Sequence, residues 1–158
     1  MAAYPSLQVA SLIANICNQK GYHWNNTKIQ KLLYCCYGCF LAAFSERLCD
    51  EYPRAWQYGP VFPKVFNHIH KQRPFPVVPL NIHLPPEKNT FLEEVVSVFG
   101  SYNAVPLSDW THRPGSPWYT VVHEIGNGEL GDFIPDDIIK TYFSENIVKE
   151  SNDETPDN

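Results

Sequence analysis

Cys35, Cys36 and Cys39 fall within five residues of one another, a cluster whose softness suits a metal ion. Cys35 and Cys39, at i and i+4, share one face of a helix. A closed zinc site needs four ligands, however, and Cys36 projects about 100° away, beside the core-facing Phe40. The thiols therefore read as small buried hydrophobes, with no metal and no cofactor implied. Gly126-x-Gly128-x-x-Gly131 matches a dinucleotide-binding fingerprint in spacing, but it lacks the preceding strand and surrounding βαβ unit that make such a loop cradle a phosphate. It reads as a loop. His112, between Thr111 and Pro117-Trp118, is either a general base or a structural imidazole that bonds a backbone carbonyl and packs on Trp118; the second reading is favoured. Hydrolysis or group transfer needs a nucleophile with its base, or paired carboxylates. None is legible, so the expectation is a protein that is not an enzyme.

Binding chemistry has two candidates. Lys20, Lys28 and Lys31 with Tyr34 and Tyr37 could form a phosphate-contacting patch, although a solvated helix face is the simpler reading. Trp56 and Tyr58 are amphipathic anchors of the kind enriched at protein interfaces. Trp56 is assigned to the core; Tyr58 is left open. The formal net charge is −5, and residues 144–158 alone contribute −4, leaving the body near neutral. That balance lacks the basic excess of a nucleic-acid binder.

The elements that must position these residues are mostly helical. Val9, Leu12, Ile13, Ile16 and Cys17 recur at helical spacing, with Ser6 as N-cap and Gly21 as the left-handed stop. A second helix runs from Thr27 to about Ser45, its start marked by a capping box of Thr27 and Gln30. Ile29, Leu32, Leu33, Cys36, Phe40 and Ala43 face inward, placing Lys28 and Lys31 toward water or a partner. Trp56 and Tyr58 alternate with Gln57 like a short strand, Gly59-Pro60 punctuates a turn, and Pro63 opens a third helix. Residues 74–86 hold five prolines, which permit an irregular connection or a short edge strand near Val77-Val78. Further helices follow from a Pro85-Pro86-Glu87 lead to a stop at Gly100, over Leu107–His112, from Trp118 to about Glu124, and from an Ile134-Pro135-Asp136-Asp137 opening onward.

The expected fold is mainly α: a compact single domain of about six helices with at most a small β-hairpin around residues 50–58. Its boundaries are 1–143, followed by an acidic, disordered tail over 144–158. At 158 residues such a domain buries ~68–70% of its unfolded surface without disulfides. The N-terminus lacks a secretory signal. The longest strongly apolar stretch, Leu32 to Phe44, falls short of the ~20 residues that cross a bilayer. With an odd number of cysteines, a reducing cytoplasm is the expected compartment.

Three motifs carry a resemblance. Thr27-Lys28-Ile29-Gln30-Lys31-Leu32-Leu33-Tyr34, Ala55-Trp56-Gln57-Tyr58-Gly59-Pro60-Val61-Phe62-Pro63, and Leu107-Ser108-Asp109-Trp110-Thr111-His112 with Pro117-Trp118 resemble the Panacea domain family, which includes SocA-like proteolytic adaptors and phage GepA-like proteins. The similarity spans residues 7 to 143, departing in the proline-rich segment and the tail. It implies a cytoplasmic antitoxin that neutralises a cognate toxin by direct contact and, in the SocA-like case, hands it to a Clp-type protease. The expected partner-binding residues are Lys28, Lys31, Tyr34, Tyr58, Gly59 and Pro60. Thr27, Gln30, Trp56, Pro63, His112 and Trp118 are expected to be structural. A phage or chromosomal regulator that binds nucleic acid or a host protein is the alternative.

Overall fold

The computed structural model describes residues 3–71, 80–125 and 131–148. Along the chain run α1 (Ser6–Lys20), α2 (Asn26–Phe44), β1 (Arg54–Trp56), β2 (Gly59–Val61), α3 (Pro63–Lys71), α4 (Pro86–Phe99), α5 (Ala104–Thr111), α6 (Pro117–Tyr119), a π-helical turn (Thr120–Ile125) and α7 (Asp136–Asn146). The architecture is mainly α with one small antiparallel hairpin, and it has seven α-helices among the described residues. The segment around Val77-Val78, the glycines at 126 and 128, and the chain from 149 onward lie outside the described residues.

Helix α2 is the axis. Its apolar residues pack against α1, α3, α4, α5, α7 and β2, and every residue from Lys28 to Ala42 is buried. Each large side chain so enclosed stabilises the fold by roughly 1.5–3 kcal/mol. Tyr34, Tyr37 and Phe40 are among the largest fully buried residues. α7 lies against α2, with the Phe143 ring over Gly38 and edge-on to Tyr34 at 5.5 Å. Tyr37 donates to Asp136 Oδ1 at 2.6 Å, pinning the first turn of α7 to the axis.

Several ends differ from the sequence expectation. Asn25, not Thr27, caps α2, its side chain accepting from the Lys28 amide at 2.9 Å; Thr27 is already inside the helix and is exposed. Pro5 precedes α1 as its cap residue, and the Ser6 amide instead donates to Asp50 Oδ1 at 3.1 Å. Gly21 does end α1 in the left-handed region, at φ 76. Beyond Tyr119 the expected α-helix widens to a π-helical turn. Trp118, Val121 and Val122 are buried all the same, and that inward spacing does not distinguish the two windings.

The hairpin sits later than residues 50–58. Arg54 pairs with Val61, Ala55 with Pro60 and Trp56 with Gly59, so the tip is Gln57-Tyr58 and Gly59-Pro60 belongs to a strand. Pro60 is tolerated because β2 is an edge strand. The outer edge of β1 is covered by residues 131–134: the Ala55 amide donates to Asp132 O at 2.8 Å and the Gly131 amide to Ala55 O at 2.7 Å. Arg54 clamps the same segment, donating to Gly131 O at 2.9 Å and lying over the Phe133 ring. Directly after the hairpin, Pro63 starts α3, and the buried Glu51 carboxylate accepts from the Lys64 amide at 2.6 Å. A negative charge at that positive helix end is favourable.

Candidate partner-binding site

The three motifs meet at the hairpin. From α2, Gln30 is buried and accepts from the Phe62 amide at 2.8 Å through Oε1, while its Nε2 donates to Asn26 Oδ1 at 3.1 Å. The next residue, Lys31, donates from Nζ to Pro60 O at 2.9 Å. From α5, Ser108 Oγ donates to Tyr58 O at 2.9 Å. Trp118 Nε1 donates to Trp56 O at 2.6 Å. The residues around Ser108 are held in turn: Thr111 Oγ1 and His112 Nδ1 both approach Ser108 O at 2.7 Å, and because a carbonyl only accepts, Nδ1 carries the proton. The His112 ring stands edge-on to Trp118 at 5.3 Å.

This framing leaves a cleft of about 260 Å³ between the hairpin, α2 and α3, lined by Gln30, Lys31, Trp56, Tyr58, Val61 and Phe66 among others. Trp56 is half-buried and packs edge-on to Phe66 at 5.2 Å. Tyr58 projects from the tip and is 68% exposed. The cleft is therefore an apolar recess with an aromatic rim, a form suited to receiving a side chain from another protein.

Lys31 is not on a solvent face. It is 2% exposed, and burial pushes its pKa down to about 8, a shift that Cys35 opposes. Lys28 is likewise buried, above the Tyr22 ring, and Tyr34, Gly59 and Pro60 are buried. The supposed lysine and tyrosine patch on α2 does not exist as a surface. α2 is enclosed on all sides, and the helical period alone could not reveal that. Gly59 adopts φ +120, and a Cβ there would meet Thr111 Oγ1 at 2.9 Å and Lys31 Nζ at 3.1 Å. It is a packing residue as well as a turn residue.

The buried ammonium gives a pH signature. Between about pH 8 and 10.5 the folded protein has released the Lys31 proton that the unfolded chain still holds, so this group's contribution to stability rises by about 1.4 kcal/mol per pH unit across that window and falls as pH drops through the folded pKa. Lys31→Met removes the group. Urea denaturation is expected to show the variant losing ground relative to the parent as pH rises from about 7.5 to about 9.5; a pH-independent difference would contradict the burial.

Sequence reasoning passed over Ser108, Glu51 and Asn26 as fasteners. Ser108 carried the one available signal, its place two residues after Pro106 and three before Thr111, but its acceptor, Tyr58 O, is 50 residues away in the chain.

A family model described as antitoxin SocA-like, Panacea domain, matches residues 29–119. Among curated proteins, the antitoxin SocA of Caulobacter vibrioides (strain NA1000 / CB15N) is 29% identical over 134 residues, covering 75% of this chain and 71% of that protein. No solved structure matches the chain.

Proposed function

The chain belongs to the antitoxin SocA-like, Panacea domain family, and from that premise we propose that it is a non-enzymatic cytoplasmic antitoxin that neutralises a cognate toxin by direct contact at the hairpin cleft. The observation that carries the site is the pairing of a braced backbone with an exposed tip: four side chains hold the hairpin, while Tyr58 stands free at the rim of an apolar recess. Pre-organisation lowers the ordering cost of binding, and an aromatic at such a position is a strong anchor.

The function is tested by co-expression with the product of the neighbouring reading frame, scoring growth rescue and co-purification. Absence of both would overturn the antitoxin reading. For the site, Tyr58→Ala is expected to weaken the complex by roughly 30-fold, a hot-spot loss of about 2 kcal/mol, with the melting temperature unchanged because the side chain packs on little. Undiminished affinity would move the interface elsewhere. Delivery to a Clp-type protease is the finer alternative to occlusion. It predicts that toxin half-life shortens only when this protein and the protease are both present.

A further inference from the structure

At the N-terminal end of α2, sharing no lining residue with the hairpin cleft, lies a second recess of about 340 Å³, bounded by Tyr22, Trp24, Asn25, Lys28, Asn103 and Ala104 among others. We propose that it binds a small organic molecule through an oxyanion of the phosphate-monoester type, seated between the Lys28 ammonium and the first backbone amides of α5.

Two independent features converge there. Lys28 is 6% exposed, its Nζ lies 5.6 Å from the Tyr22 ring centroid, and among the described residues it has no hydrogen-bond or ion-pair partner. The Tyr22 ring face supplies only part of what an anionic acceptor would give the ammonium. The second feature is the start of α5. Asn103 occupies the cap position but its side chain makes no capping bond. Leu107 is the first residue of the helix whose amide finds the backbone, donating to Asn103 O, and Pro106 has no amide to offer. The amides of Ala104 and Val105 are thus the open donors at the positive end of the helix, and Ala104 lines the recess with Lys28.

The walls carry no carboxylate that would compete for the cation: among the described lining residues the only ionisable side chains are Tyr22, His23 and Lys28. Asn25, Ser101 and Asn103 add neutral polar groups at the mouth. The volume exceeds what a bare phosphate fills, which is why the ligand is assigned as an organic molecule bearing the anion. The hairpin cleft has the opposite character, since its lysine is already committed to Pro60 O.

The test titrates inorganic phosphate, then a nucleoside monophosphate, into the full chain at constant ionic strength set by chloride, following amide chemical shifts. Saturable shifts confined to Ser101–Val105 and Lys28 are expected, with the monophosphate the tighter ligand. Lys28→Gln should weaken binding by roughly tenfold or more and Lys28→Arg should restore it, as for one charge-assisted contact. Ala104→Pro supplies a variant that leaves the lysine alone. Proline is well accepted at the first helical position, and Asn103 already has the extended backbone (ψ 163) that a following proline requires. It deletes one donor, so it should weaken binding several-fold with no loss of melting temperature. Unsaturable shifts, or Lys28→Gln and Ala104→Pro proteins that bind as the parent does, would overturn the proposal. So would phosphate and monophosphate that leave the spectrum unchanged at millimolar concentration.

Discussion

Raising the pH from about 8 to about 10.5 is expected to unfold this protein, through linkage to its buried acids. Five cysteines are buried with free thiols. Burial raises the pKa of every one: Cys35, Cys36 and Cys49 lie well above the ordinary value near 9, Cys39 is pushed up to about 12, and Cys17 is raised with Lys28 opposing. The phenols of Tyr34 and Tyr37 move upward too, both through burial and the second also through its bond to Asp136. These groups are acids whose folded pKa exceeds the unfolded one. Their contribution is therefore complete below the unfolded pKa and declines once the unfolded thiols begin to ionise while the folded ones cannot. Each thiol then costs about 1.4 kcal/mol per pH unit. Against a typical total stability of about 5–15 kcal/mol, several acting together exhaust the margin within one or two units. The single proton released by Lys31 works in the other direction and is outnumbered. Urea midpoints measured at increasing pH should fall steeply above about pH 9, and thiolate absorbance should rise together with the loss of helical circular dichroism. Thiolate that appears first, in a protein still folded, would mean that the cysteines are open to water.

Replacing Gly38 is the substitution with the largest expected effect on stability. A glycine inside a helix ordinarily costs about 1 kcal/mol relative to alanine, so Gly→Ala in α2 should by that rule be a gain. Here a Cβ would sit 2.6 Å from Phe143 Cζ with two other ring atoms closer still. Phe143 is fully buried and cannot swing aside without opening its contacts with Tyr34 and Trp110. Overpacking of this kind typically costs about 1–3 kcal/mol, which overcomes the propensity gain for Gly38→Ala and leaves a net loss. Gly38→Leu adds three more carbons to the same space, and its loss should exceed that of alanine by at least about 2 kcal/mol. The diagnostic is a double-mutant cycle: Phe143→Leu should recover part of the Gly38→Ala loss, because the two sites share one volume. Additive effects, or a Gly38→Ala protein as stable as the parent, would show that α7 yields freely.

The helices themselves were readable because apolar residues recur at the period of the backbone, and the stop at Gly21 because a left-handed residue is needed there. Gly38 was not readable. A glycine among aliphatics carries no sign of which ring lies over it, and Phe143 is distant in sequence. The lysines failed for a related reason. A reading by helical face assumes that one face meets water, and Lys28 and Lys31 were placed on it. α2 has no such face, because the helices and strand around it close the circle. The capping box misled because its pattern was met in letters only. Asn25 took the cap, and Gln30, freed from that duty, reached Phe62 instead. For the hairpin, alternation set Trp56 and Tyr58 opposite Gln57, but β1 ends at Trp56 and Gln57 and Tyr58 form the exposed tip together, where Tyr58 alone reaches solvent as a large aromatic.

The way the hairpin is braced has a consequence for how this protein could change. Lys31, Ser108 and Trp118 grip carbonyl oxygens of Pro60, Tyr58 and Trp56, and Gln30 grips the Phe62 amide. Not one of these four bonds reads a hairpin side chain. Gln57 and Tyr58 can therefore be exchanged for other residues while the loop keeps its shape, much as a tool holder accepts different bits. If partners dock at the hairpin as proposed, fold maintenance and partner choice are carried by different atoms of the same residues, the backbone for the first and the side chains for the second. A lineage with this arrangement can alter what it recognises one tip residue at a time without first losing the fold that presents it.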